Sequence, residues 1–176
     1  MSLALTFPDR EAGWVPFAAA RGRSLIRREG IDVVVTSGPP HSSHWIGRSL
    51  RRGTGTPWVA DFRDPWSAKP WVEAREQRSW REKGIAFMES RVVQDADRVV
   101  LNTDALHDEF RSRYASVPAH RFVCIPNGYD PVEFGGVPNS GRRGPPFRLT
   151  HTGTLYRRRN PLSLLQAIRR VLDSGA

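Results

Sequence analysis

Short apolar runs rich in β-branched residues alternate along this chain with longer stretches whose apolar positions recur every three or four residues. The two periods predict strands and amphipathic helices respectively. Strands are expected at IDVVVTS (31–37), PWVADF (57–62), RVVLNT (98–103) and RFVCIP (121–126), with a fifth, more openly alternating one at FRLTHTG (147–153). Helices are expected over WVPFAAARGRSLIRRE (14–29), HSSHWIGRSLRR (41–52), residues 72–95, DALHDEFRSRY (104–114) and about residues 162–172. This order predicts an α/β fold in which a parallel sheet is covered by helices. Segment 31–37 is so continuously apolar that cover on both of its faces is expected. Ser42 and Ser43 are placed to cap the helix after Pro40, and Thr103 or Asp104 the one after Asn102.

From residue 127 to 146 the pattern lapses into Gly, Pro, Asn and Ser, with GGVPNSGRRGPP at its centre, and this is the best linker candidate in the chain. The organisation expected is a domain over 1–126, a linker over 127–146 and the start of a second domain over 147–176. A lone strand and helix after the linker cannot bury their own apolar faces.

Composition adds limits. With 176 residues, 39% hydrophobic and 10% aromatic, the chain can bury a core and reads as globular. No apolar run reaches transmembrane length, and the opening MSLALTFPDR lacks the basic flank and apolar stretch of a signal peptide. A soluble, cytoplasmic protein is therefore expected. Cys124 is the only cysteine, so no internal disulfide is possible, and its expected role is that of a small buried hydrophobe. The net charge of +9 comes almost wholly from arginine, since Lys69 and Lys83 are the only lysines. Arginine pairs and triplets are spread along the chain, which speaks against a single nucleic-acid-reading stripe. Three readings of the charge remain, in descending order: a solvated surface, attraction to an anionic membrane face, and nucleic-acid binding.

In an open α/β sheet, ligands gather where loops converge at the carboxyl ends of the strands and helix N-termini present free N–H groups. That rule selects TSGPPHSSH, DFRDPW, NTD, PNGYD and HTGTLYRRR. Asp61, Arg63 and Asp64 directly follow an apolar strand. Either Arg63 is clamped between the carboxylates and holds the loop, or one of these groups points into a cleft to act on a ligand. His41 and His44 lie on one face of a first helical turn but lack the further ligands a zinc site needs, so substrate contact or capping is the favoured role. PNGYD is at minimum a tight turn, because Asn127 and Gly128 tolerate positive φ. Residues Gly153 to Arg159 combine a strand end, a glycine turn and three arginines ahead of a helix, the ingredients of an anion site.

In this order, GWVPFA, DVVVTSGPPHSSHWIG, PWVADFRDPW, the Ala96–Asp97 pair before a strand, IPNGYD and HTGTLYRRRNP resemble family 4 glycosyltransferases, over essentially residues 8–172. The resemblance implies the GT-B fold, two Rossmann-like domains with helices on both faces of each sheet, facing one cleft. It implies acceptor contacts in the first domain, a nucleotide-diphosphate sugar held by the second, and no metal or other cofactor. The implied product is a cell-surface polysaccharide or glycolipid, and the positive charge adds the expectation of peripheral contact with the membrane at its cytoplasmic side. Asp61, Arg63 and Asp64 are implied as the catalytic, acceptor-side residues, Arg63 standing where many relatives have a histidine. His41, His44 and Asn127 are implied in acceptor binding, and Gly153, Thr154 and Arg159 in holding the donor diphosphate. Measured against that pattern, the chain is expected to start downstream of the opening strand and glycine-rich turn. It is also expected to stop before the paired donor glutamates, and so to be a poor or inactive catalyst alone. Two other classes stay open: an arginine-rich nucleic-acid-binding domain, whose affinity would fall steeply with salt, and a nucleotide-sugar epimerase of the same fold.

Overall fold

The computed structural model describes residues 7–67, 79–135, 148–155 and 160–175. The chain divides into two compact units, Met1–Tyr129 and Asp130–Ala176.

In the first unit a 3-10 turn at Ala12–Trp14 leads into helix α1 (Val15–Glu29), whose second residue is proline and which stops at Gly30 in the left-handed region, φ 65°. Strand β1 (Val34–Gly38) and helix α2 (Ser42–Thr54) follow. Next come strand β2 (Trp58–Phe62) and helix α3 (Trp80–Asp95), which begins with Ser79 Oγ accepting from Glu82 N. Strand β3 (Arg98–Leu101) precedes helix α4 (Asp104–Arg113), where Thr103, one of the two expected caps, accepts from Leu106 N. Strand β4 (Phe122–Cys124) completes the sheet. The order is β1-β2-β3-β4, every pair parallel, with Val34 opposite Trp58, Ala60 opposite Val99 and Val99 opposite Phe122. The expected α/β fold with a Rossmann-like parallel sheet is what the chain forms; of the helices expected on both faces, the described connecting helices pack on one.

A sheet that grows in one direction through right-handed crossovers brings its connecting helices to the same face. That face carries Trp58, Ala60, Phe62, Val99, Leu101 and Phe122. They pack beneath Ile85, Val92 and Val93 of α3 and Leu106 and Phe110 of α4. A smaller cluster joins Ala19 of α1 to Ile46 and Leu50 of α2. Burial of Trp58 and Phe62, both 0% exposed, contributes roughly 2–3 kcal/mol each.

Several expectations need correction. Among the described residues cover on both faces of β1 is not found, because the connecting helices lie on one face and Val35 points to the other, 64% exposed. Cys124 is only half-buried, since β4 is the opposite edge; partial desolvation, then the neighbouring Asp104 side chain, push its thiol up. PNGYD forms no turn. Ile125 N extends the ladder by donating to Leu101 O, and Arg63 Nη1 donates to both Ile125 O and Asn127 Oδ1, which holds the segment extended.

The second unit contains a short helix α5 (Pro131–Phe134), capped by Asp130, and helix α6 (Leu162–Asp173). The strand expected at 147–153 is not formed; residues 148–153 are irregular. A parallel strand needs ladder partners, and the described residues of this unit supply none. Most of the expected linker and the arginine triplet at 157–159 lie outside the described residues. Among the described residues no helix is long and apolar enough to cross a membrane.

Candidate functional site at the carboxyl ends of β1 and β2

Where β1 and β2 end, Arg63 N donates to Gly38 O at 3.0 Å, so the two loops leave the sheet side by side. Between them lies an open cleft of about 530 Å³. Pro39, Pro40 and His41 form one wall, Asp64, Pro65 and Trp66 another, and Asp9 and Glu11 come from the chain before α1.

The two histidines occupy different environments. His41 lines the cleft, 7% exposed, with its ring stacked on Trp66 at 5.2 Å between centroids and 17° between planes. His44 is fully buried beneath it, 4.4 Å from the Phe62 ring. Its Nδ1 is 2.9 Å from Thr36 Oγ1, which accepts the Trp58 indole N–H at 2.9 Å. Burial, and then the charge of nearby His41, push the His44 pKa down to about 3. A neutral ring shut away from the cleft is a packing group and not a proton carrier. Gly38 makes room for both rings, as a Cβ there would lie 2.8 Å from His41 Nδ1 and from His44 Nε2.

The acidic pair also separates. Asp61 Oδ2 accepts from Ser37 Oγ at 2.8 Å and from Arg63 Nε at 2.9 Å. Arg63 spends its other contacts on Ile125 O and Asn127 Oδ1. The arginine clamp anticipated as the structural alternative therefore exists, but it ties Asp61 to Asn127 on β4's extension and does not bridge two carboxylates. Asp61 Oδ1 is buried without a hydrogen-bond partner among the described residues. Asp64 turns the other way, exposed on the cleft wall with His41.

Neither Ser42 nor Ser43 caps α2; the cap position is His41, with no side-chain bond. Asp9 supplies the carboxylate instead, accepting from Ser42 N at 2.8 Å, where the helix dipole favours a negative charge. Ser43 Oγ is used on Ser37 O. Gly153, at φ 134°, and Thr154 are exposed in the second unit, and Arg159 lies outside the described residues. Among the described residues no three or more His, Cys, Asp and Glu side chains gather as a metal site would require.

Residues 2–128 match a family model described as a glycosyl transferase 4-like domain. The chain belongs to the glycosyl transferase 4-like family. No curated protein matches it. The matched segment contains every described element of the first unit, so the cleft is a feature of the glycosyl transferase 4-like domain itself.

Two residues that line this cleft or cap its helix carried weak signals or none, and a third, buried behind it, carried a clear one. Asp9 has no motif that marks it as a cap for a helix 33 residues away. Trp66, 2% exposed, closes DFRDPW, and its aromatic character is the only sign that it backs the wall. Glu89 was detectable, because it interrupts the buried stripe Ile85, Val92, Val93 of α3 with a carboxylate that is 0% exposed. Buried charge demands partners, and Glu89 has four donors: Ser67 N, Ser67 Oγ, Arg113 Nη1 and Tyr114 Oη. Burial first, then the Glu89 charge, push the Tyr114 phenol up.

Proposed function

We propose that this chain provides the acceptor side of an enzyme that transfers a sugar from a nucleotide-diphosphate sugar to an acceptor hydroxyl. The observation that supports this best is the cleft at the carboxyl ends of β1 and β2. There an exposed carboxylate, Asp64, stands on one wall beside a ring, His41, anchored on Trp66. In this reading the acceptor hydroxyl binds between Asp64 and His41 and its oxygen attacks the anomeric carbon. The bond from that carbon to the diphosphate breaks, and the hydroxyl proton passes to Asp64. Asp61, Arg63 and Asn127 act behind the cleft, holding the strand ends that carry it. His44 contributes packing and no acceptor contact.

Gly153, Thr154 and Arg159 are proposed to hold the donor diphosphate, whose charge a guanidinium matches well. No metal is invoked, because the diphosphate leaving group can be stabilised by such fixed donors. The domain division proposed is 1–126 for the acceptor side, 127–146 for the linker and 147–176 for the donor side. Acceptors of cell-surface polysaccharide or glycolipid synthesis fit the arginine-rich surface, which would rest against an anionic membrane at the cytoplasmic side.

Calorimetric titration tests this directly. The chain is expected to bind at least one neutral saccharide from a panel including N-acetylglucosamine, methyl α-mannoside and lactose, and separately a UDP- or GDP-sugar. Asp64→Ala should weaken the saccharide at least tenfold, about 1.4 kcal/mol, without changing nucleotide binding, and Arg159→Ala should do the reverse. If neither ligand class binds while nonspecific DNA binds with steep salt dependence, the proposal is wrong.

A further inference from the structure

We propose that Glu89, on α3 and outside the cleft, is the positioning residue that fixes the Asp64–Trp66 wall for the acceptor; this rests on the reading of the cleft given above. Five residues, Arg63 to Ser67, carry that wall, and the structure pins them at both ends. At the first end Arg63 N donates to Gly38 O, and Asn102 Nδ2 donates to Arg63 O at 2.6 Å. At the second end both polar groups of Ser67 go to Glu89, the backbone N–H to Oε2 and the hydroxyl to Oε1, each at 2.7 Å. The same carboxylate takes Arg113 Nη1 at 2.9 Å and Tyr114 Oη at 2.6 Å, so the loop is tied to α4 through one buried anion. Only Asp64, Pro65 and Trp66 lie between the pins, and these three face the cleft.

The chemistry requires a carboxylate. It accepts on both oxygens: Oε1 takes the Ser67 hydroxyl, Arg113 Nη1 and Tyr114 Oη, and Oε2 takes the Ser67 N–H. A glutamine has the same shape, but its NH₂ must face a donor, either Ser67 N–H or the hydroxyl and guanidinium on the other side. Glu89→Gln therefore weakens the pin, at the cost of either the Ser67 N–H bond or the bonds on the Oε1 side, while leaving the packing volume intact. Tyr114→Phe removes a bond to the same carboxylate from the α4 side and leaves both Ser67 bonds.

The test uses the full chain carrying 5-fluorotryptophan, with the Trp66 resonance assigned by Trp66→Phe. In Glu89→Gln the Trp66 resonance is expected to shift or broaden. Affinity for whichever of N-acetylglucosamine, methyl α-mannoside or lactose the native chain binds should fall at least fivefold, with UDP- and GDP-sugar affinity unchanged. Tyr114→Phe should lower the unfolding midpoint but leave the Trp66 resonance and saccharide affinity as they were. A folded Glu89→Gln protein with an unmoved Trp66 resonance overturns the proposal. Should that variant not fold, Ser67→Ala, which deletes one of the two loop bonds, is read in the same way. The fluorine signal needs no bound sugar. A moved resonance in a chain that binds no saccharide thus upholds the pin and rejects only the functional reading beneath it.

Discussion

Gly47→Ala is expected to destabilise the first unit by about 3 kcal/mol, although alanine normally improves a helix interior by roughly 1 kcal/mol. Packing decides the sign. A Cβ at this position in α2 would overlap the Trp58 indole at Nε1 and Cε2 and lie 2.8 Å from Thr36 Cγ2. The indole cannot swing aside, being 0% exposed and bonded through Nε1 to Thr36 Oγ1. Relief would require α2 to lift from β1 and β2, opening the core beneath His44. Urea unfolding should show a lower midpoint at an unchanged slope. Gly13, where an added Cβ meets nothing within 4 Å, serves as the control, and Gly13→Ala should stay within about 0.5 kcal/mol of the native chain. A Gly47→Ala midpoint equal to or above the native one would show that the close packing of α2 on Trp58 is misdescribed.

The second large effect is a loss of stability in mild acid. His44 is held neutral in the folded chain, its pKa pushed down to about 3 by burial and by His41, whereas an unfolded histidine titrates near 6.5. Between those values the unfolded state binds a proton that the folded state refuses. The contribution is therefore complete above about pH 6.5 and declines as the pH falls toward 3, with a slope approaching 1.4 kcal/mol per pH unit. Asp97 must be kept out of the window. Burial pushes its carboxyl up, but the Trp58 N–H and Arg51 outweigh this, so it sits below the ordinary value of 3.8 and contributes its own loss only at lower pH. Unfolding midpoints measured from pH 7 to 4.5 should thus fall steeply in the native chain and more gently in His44→Gln. Equal slopes would mean that His44 is solvated and titrates normally.

Periodicity was enough for the elements of the first unit, because four β-branched runs and four amphipathic stretches each had a partner to pack on. It failed where a partner was needed and the described residues offer none: β1 is bare at Val35, and residues 148–153 form no strand. The site was legible as a set of loops and illegible as a set of contacts. Asp61, Arg63 and Asp64 are neighbours in sequence, yet strand alternation sends Asp61 and Arg63 to one side of the sheet, and Asp64, past the strand, faces the cleft. His41 and His44 are three residues apart, yet one lines the cleft and the other is sealed below it. Asp9 and Glu89 act across 33 and 22 residues of chain, distances over which residue type alone says nothing.

An acceptor held in the cleft between Pro40–His41 and Asp64–Trp66 must perturb those residues before any others. Chemical-shift mapping by ¹⁵N NMR, with a saccharide titrated into the labelled chain, addresses this most directly. The shifted signals are expected to gather at His41, Asp64 and the Trp66 indole, while those of Asp97, Arg121 and the opposite end of the sheet stay in place. Shifts centred away from that cleft, with His41, Asp64 and Trp66 unmoved, would contradict this placement of the acceptor.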